Sequence, residues 1–94
     1  MPMTASLTRR DDALVFSGAL DRAAVVALWP QASAQRAGVA RFDLTAVTRV
    51  DSAGLAMLAE LADGLPGARV EGRPDGLDEL RAAYRLQDDL SFAA

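Results

Sequence analysis

The sequence predicts an α/β fold in which a small mixed β-sheet, opened by an N-terminal β-hairpin, carries about three helices packed mainly on one face. Apolar residues alternate with polar ones in some stretches and recur at helical spacing in others, in the order β-β-α-β-α-β-α. A chain of 94 residues has room for one small core. We therefore expect residues 1–94 to form a single domain.

The N-terminal segment is predicted to form the hairpin. Apolar and polar residues alternate over residues 5–9 and again over residues 13–18, and the polar residues 10–12 separate the two runs. Side chains alternate between the two faces of a strand, so Leu14 and Phe16 are expected to lie together on the core side of the sheet.

The first helix is predicted to follow directly after the hairpin. Asp21 is a suitable N-cap for a helix that begins near residue 22 and carries Trp29. Pro30 has no amide hydrogen, and its ring opposes the carbonyl four residues earlier, so we expect a kink or a break near Trp29 before the helix continues to residue 36. Gly38 is expected to end it.

The central stretch is predicted to form a strand, a polar turn and a second helix. Val39, Phe42 and Leu44 form an apolar run that favours a strand, whereas residues 45–49 bring in polar residues that tolerate turns and predict a loop. Asp51 and Ser52, two N-cap formers, then precede a segment with apolar residues at helical spacing up to Leu65. The turn therefore lies at the carboxyl end of a strand, where open α/β sheets usually carry their functional sites.

The C-terminal segment is predicted to add one short strand and one amphipathic helix. Residues 68–72 are short and alternating, which indicates the strand, and residues 77–86 carry apolar side chains at helical spacing. Leu90 and Phe92 are the large apolar residues of the end segment 87–94. That segment either folds back onto the core or forms a loose terminus.

The composition argues against several classes of function. Cys, His and Lys are absent, which removes disulfides, the usual general base, the commonest metal ligand and Schiff-base chemistry. A net charge of -3, with ten arginines as the only cations, argues against nucleic-acid binding. No glycine-rich phosphate-binding motif occurs, so we expect a protein that is not an enzyme and that binds no nucleotide, cofactor or metal.

The hydrophobic pattern also bears on location. The longest apolar runs are far shorter than the ~20 residues needed to span a bilayer, and the first residues lack the basic and apolar segments of a secretory signal. We therefore expect a cytoplasmic protein without direct membrane insertion.

A family resemblance rests on the central stretch. Residues 43–56 have the order Asp-Leu-Thr-x-Val-Thr-x-Val-Asp-Ser-Ala-Gly-Leu-Ala, which resembles the signature of STAS domains. These small α/β modules occur in anti-sigma-factor antagonists and in the tails of anion transporters. Through residues 20–21, 27–29, 51–54 and 77–86, the chain is most similar to the stand-alone STAS subunits of bacterial phospholipid ABC transporters.

The resemblance implies a regulatory or assembly subunit that binds the cytoplasmic ATPase subunit of such a transporter, in a complex with a membrane permease. That complex would hold it at the inner membrane and maintain the lipid asymmetry of the outer membrane. The expected contact residues lie in the first helix, in the polar run after the central strand, and in the turn with the second helix. They are Trp29, Thr45, Thr48, Asp51, Ser52, Ala53, Gly54, Leu55 and Met57.

Several of these residues have a structural alternative. Trp29 is either a core residue or an interface anchor, and the neighbouring helix break favours the interface. Asp51 and Ser52 are expected to cap the second helix, whose first amide groups otherwise lack partners. Met57 is expected to be a semi-exposed contact residue, and Arg49 is expected to pair with Asp51.

The sequence also offers two alternatives to the transporter hypothesis. In anti-sigma-factor antagonists of partner-switching pathways, the phosphorylated serine is the second residue after the Asp, and the matching residue here is Ala53, which has no hydroxyl. Ser52 carries a hydroxyl one position earlier, which favours a contact role. Residues 51–54 also resemble the Asp-Ser/Thr-Gly motif of retroviral-type aspartic proteases, but Ala53 interrupts that motif and the three helical patterns contradict a nearly all-β fold.

Overall fold

The structure is a computed structural model that describes residues 5–65, 67–86 and 90. Its elements are β1 (Ser6–Arg10), β2 (Ala13–Leu20), α1 (Arg22–Ala34), β3 (Arg41–Val50), α2 (Ser52–Asp63), β4 (Arg69–Glu71) and α3 (Leu77–Ala83). The predicted fold class and the predicted order of elements are both confirmed.

The four strands form one mixed sheet in the order β1-β2-β3-β4. The hairpin strands β1 and β2 are antiparallel, and β2-β3 and β3-β4 are parallel. Helix α1 packs on β1 and β2, and α2 packs on β2 and β3. The side chains of Leu14, Phe16 and Leu20 are fully buried beneath these helices, whereas Val15 and Ser17 on the other face of β2 are only half-buried.

Strand β3 differs most from the prediction, because the expected loop over residues 45–49 is strand. The register between β2 and β3 slips by one residue between Val15 and Ser17, and slips again between Gly18 and Ala19. At each slip β3 carries one residue more than β2, which is the definition of a β-bulge. With these two bulges, strand β3 spans ten residues and ends at Val50.

The two bulges change the period of β3. Leu44, Val47 and Val50 are buried at intervals of three, and Thr45 and Thr48 are exposed between them. A regular strand buries every second residue, so this spacing does not match the strand pattern on which the sequence prediction relied. Buried residues thus occur as far as Val50 at the end of β3, although Thr45, Thr48 and Arg49 around them are polar.

Helix α1 begins as predicted, because the side chain of Asp21 accepts a hydrogen bond from the amide of Ala24 at 3.0 Å. The expected break near Trp29 is wrong, since the helix runs through Pro30 and ends at Ala34. Both Pro30 and Val26, whose carbonyl loses its helical partner, lie on the exposed side of the helix. Water can therefore bond to this carbonyl, which lowers the cost of the proline.

The C-terminal prediction is partly correct. Strand β4 forms as expected, but α3 ends at Ala83 and not at residue 86. Tyr84 is the C-cap, with a φ of -92° and a ψ of 3°, and Arg85 has a φ of 56°, so neither continues the helix. Leu90 is 2% exposed within the core cluster, which confirms that the end segment folds back at this residue. Phe92 lies outside the described residues.

Helix and sheet approach each other closely at Gly54, in the first turn of α2. A Cβ atom at this position would overlap the carbonyl oxygen of Leu20, the last residue of β2. The same carbonyl accepts a hydrogen bond from the amide of Asp51 at 3.2 Å. The absence of a side chain at Gly54 is therefore what allows α2 to start against the end of β2.

This contact generates a stability prediction. Gly54→Ala should lower the free energy of unfolding by about 3 kcal/mol, the upper end of the cost of overpacking, because the added methyl meets backbone and not a movable side chain. Gly64→Ala is the matched control at the other end of α2, where a Cβ would lie 3.6 Å from Arg36. Its effect should stay within about 1 kcal/mol. Urea unfolding of both variants measures the difference, and equal stabilities would contradict the proposed steric role of Gly54.

Candidate functional site

The predicted functional turn lies where the two central parallel strands end together. Leu20 of β2 pairs with Val50 of β3, and each strand is followed directly by the N-cap of a helix. These caps are Asp21 for α1 and Asp51 for α2. Helices α1 and α2 therefore start side by side at the same end of the sheet, and they pack against each other.

The cap of α2 is formed by Asp51 and not shared with Ser52. The side chain of Asp51 accepts a hydrogen bond from the amide of Gly54 at 2.9 Å. Ser52 is the first helical residue, it is exposed, and its hydroxyl makes no hydrogen bond to any residue that the structure describes. The expectation that Ser52 helps to cap the helix is therefore wrong, and its hydroxyl faces solvent.

The expected ion pair between Arg49 and Asp51 is also wrong. The guanidinium of Arg49 contacts the carboxylate of Asp21 at 3.3 Å. The second bulge sets Arg49 opposite Ala19, near the end of β2, so that Asp21 is the nearer carboxylate. One oxygen of Asp51 is already bonded to the amide of Gly54.

Thr45 and Thr48 are both exposed between buried residues of β3. Thr45 bonds to Asp43, which pairs with Val15 on the face of the sheet away from α1 and α2. The hydroxyl and the amide of Thr45 donate to Asp43 at 2.6 and 2.9 Å, and these two bonds lower the pKa of the Asp43 carboxyl. The structure thus does not bring Thr45 and Thr48 together with Trp29.

Three of the expected contact residues on α2 are buried. Leu55 is 1% exposed and Met57 is 3% exposed, and Gly54 lies against β2. The expectation that Met57 is semi-exposed is wrong, because α2 packs between α1, α3 and the sheet and buries most of its circumference. At the start of α2, Ser52 and Ala56 remain exposed and Ala53 is half-buried.

Helix α1 carries an exposed apolar surface that includes Trp29. Trp29 is 36% exposed, and Val26, one helical turn earlier, is 75% exposed. Pro30 is exposed beside them. We call Val26, Trp29 and Pro30 the α1 patch. Val26 is not among the contact residues expected from the sequence, although its spacing of three residues from Trp29 places both on the same side of a helix.

Comparison with known proteins identifies the family. A family model described as "Mlab, STAS domain" matches residues 3–90. The chain therefore belongs to the STAS domain family, as the motif over residues 43–56 predicted.

Two curated relatives are similar over nearly the whole chain. The chain is 36% identical over 94 residues to the "Intermembrane phospholipid transport system binding protein MlaB" of Escherichia coli (strain K12), with 96% of this chain and 97% of the relative covered. The protein of the same name from Shigella flexneri gives the same identity and coverage.

One solved structure has a limited similarity to the chain. It is titled "Crystal Structure Analysis of Mglu" and matches with a TM-score of 0.49 and 23% identity. The match covers 77% of this chain and 20% of that chain.

No helix in the described part of the chain has the length and apolar character required to cross a bilayer.

The site geometry generates a second prediction, on the cap. Asp51→Ala should lower the free energy of unfolding by about 0.5 to 2 kcal/mol, because the amide of Gly54 loses its acceptor. Ser52→Ala should change it by less than about 0.5 kcal/mol, because the hydroxyl is exposed and unbonded within the described structure. Thermal unfolding of the two variants compares them directly. A larger loss for Ser52→Ala than for Asp51→Ala would show that the cap has been assigned to the wrong residue.

Proposed function

We propose that this chain is a non-enzymatic STAS subunit that binds the cytoplasmic ATPase of a phospholipid ABC transporter and regulates or stabilises it. The transporter would contain a membrane permease and maintain the lipid asymmetry of the outer membrane. The printed name of the two relatives, a binding protein of an intermembrane phospholipid transport system, supports the transport role. The observation that carries the proposal is the exposed apolar α1 patch, since a Trp at the surface is typical of an interface anchor.

The proposed docking surface consists of the α1 patch and the exposed start of α2. Both helices follow parallel strands and begin at the same sheet end, so they run side by side in the same direction. Val26 and Trp29 are the fifth and eighth residues of α1, and Ser52 and Ala56 are the first and fifth residues of α2. At about 1.5 Å of rise per residue, all four stand within roughly 12 Å of that end.

The composition of this surface suits a protein partner. Val26, Trp29 and Pro30 supply apolar area, and the small side chains of Ser52 and Ala56 let a partner helix approach closely. A patch with an aromatic anchor surrounded by small residues excludes water from the contact, which is the arrangement that gives interface hot spots their energy. We therefore infer that the partner presents an apolar helical face here.

The proposed mechanism is binding without chemistry. A bound subunit changes the conformational equilibrium of its partner only by its difference in affinity for the two states. This chain would bind more tightly to the assembled or active conformation of the ATPase and so increase its population. ATP binding and hydrolysis would remain with the partner.

The exposed Ser52 hydroxyl supports one alternative function, an anti-sigma-factor antagonist controlled by phosphorylation. A phosphate at the first residue of a helix is favoured by the helix dipole, and no cap bond occupies this hydroxyl in the described structure. Incubation with a STAS kinase followed by mass spectrometry tests it. Stoichiometric phosphoserine at Ser52 would favour the antagonist, whereas an unmodified Ser52 would favour the transporter subunit.

The docking surface gives the third prediction. Trp29→Ala and Ser52→Arg should each weaken the complex with the co-expressed transporter ATPase, the first by about thirtyfold, which corresponds to about 2 kcal/mol. Val26→Arg should weaken it as well, because it adds a charge to the apolar surface. Co-purification and titration measure binding, and thermal unfolding shows that each variant remains folded.

Tyr84→Ala is the matched control for this experiment. Tyr84 is an aromatic residue at the end of α3 that is 51% exposed, and it lies outside the proposed surface. Its truncation should leave co-purification unchanged. A folded double variant with Trp29→Ala and Ser52→Arg that still co-purified at full yield would overturn the proposed surface.

A further inference from the structure

A second surface lies along the outer edge of β4, at the edge of the sheet farthest from β1. A cleft of about 710 Å³ is bounded there by β4 with its flanking residues and by the first turns of α3. Four of the ten arginines of the chain line it, namely Arg41, Arg69, Arg73 and Arg81. This concentration of cations stands out in a chain whose net charge is -3.

Two of the four arginines are already paired within the protein. Arg41 contacts Asp12 at 3.1 Å and Glu71 at 2.8 Å, and these two partners raise the pKa of its guanidinium. Arg81 contacts Asp78 at 3.3 Å. These pairs fix the walls of the cleft and leave their charge largely compensated.

The charges of the other two arginines, Arg69 and Arg73, are not compensated by carboxylates in this way within the described structure. Arg69 is the first residue of β4, and Arg73 follows two residues after its end. Both are exposed, and neither makes an ion pair with the residues that the structure describes. The two cations are therefore four positions apart along the chain, one at the start of β4 and one two residues beyond its end.

The backbone of β4 also points into the cleft. The amide of Arg69 donates to the carbonyl of Ala40 at 2.9 Å, and Arg69 pairs with Arg41 in the parallel register. In a parallel ladder the main-chain groups of successive residues point to opposite edges. The amide and carbonyl of Val70 therefore point away from β3, towards the cleft that Val70 lines. Within the described structure, β3 is the only strand paired with β4.

We propose that an extended, acidic segment of a partner protein binds along β4 as an additional strand. Its main chain would bond to the amide and carbonyl of Val70, and two carboxylates about four residues apart would contact Arg69 and Arg73. The separation of the two arginines and the presence of main-chain donors favour an extended peptide over a phosphate, which needs converging donors. The surface differs from the proposed docking surface, so this proposal does not depend on the proposed function.

The Arg69 end of the cleft lies far from the start of α2. Arg41 is the first residue of β3 and pairs with Arg69, the first residue of β4, whereas α2 begins after the last residue of β3, Val50. Ten residues of strand span about 30 Å. A segment bonded to Val70 and Arg69 would therefore lie at the other end of β3 from the start of α2, whereas Arg73 is closer to that start, because Asp75 pairs with Arg49.

The proposal predicts a binding preference in the full chain. Short end-blocked peptides rich in Val and Thr are compared, one with two Glu residues four positions apart and one with Lys at the same positions. The acidic peptide should bind about tenfold more tightly than the Lys peptide, and added salt should reduce the difference. An acidic peptide methylated on its central amide nitrogen atoms should bind more weakly, because it cannot complete the ladder.

Variants of the protein test the same contacts from the other side. The double variant Arg69→Glu, Arg73→Glu should bind the Lys peptide in preference to the acidic one, and Arg22→Glu, an exposed site on α1, should leave the preference unchanged. Val70→Pro removes the outward amide but not the bond from Arg69 to Ala40, so it should weaken binding of either peptide. If Val70→Pro fails to fold, the methylated peptide measures the loss of the ladder independently.

Three results would overturn the proposal. They are equal affinity for the two charged peptides, unchanged affinity of the acidic peptide for the double variant, and no loss of affinity on amide methylation. Binding to phosphatidylglycerol vesicles that disappears in the double variant, without binding of the acidic peptide, would assign the arginines to a lipid surface and would also overturn it.

Discussion

The contact between Gly54 and the carbonyl of Leu20 determines where the second helix begins. Because this position has no Cβ, the first turn of α2 rests directly on the end of β2. The Leu20 carbonyl then accepts the amide of Asp51, and the Asp51 side chain caps the helix through the amide of Gly54. One short turn thus links the end of β2, the end of β3 and the start of α2 by packing and by two hydrogen bonds.

The exposed residues of the site follow from that contact. With α2 pressed against the sheet and against α1, Leu55 and Met57 are directed into the core, and Ser52 is left outside at the helix start. Helix α1 then packs beside α2 with Trp29 at its outer side. The docking surface that we propose is therefore the part of α1 and α2 that stays exposed after the two helices have packed against the sheet and against each other.

Features governed by local rules could be predicted from the sequence. The hairpin, the cap at Asp21 and the strand around Val70 each depend on a few neighbouring residues, and the motif over residues 43–56 indicated the family. Features set by tertiary packing could not be predicted in this way. The burial of Met57 depends on α1 and α3 packing around α2, and Arg49 pairs with Asp21 only because a bulge moves it towards β2. The exposure of Val26 follows from which side of α1 faces the sheet.

The doubled bulge in β3 has a consequence for how the chain folds. Strands β2 and β3 are joined by the crossover of residues 21–40, so their pairing is a late and entropically costly event. A sheet with regular alternation offers several competing alignments that bury similar side chains. In β3 a shift by one residue would exchange Val47 and Val50 in the interior either for a threonine and an aspartate or for an alanine and an arginine. The irregular strand thus disfavours pairing of the central strands that is out of register by one residue.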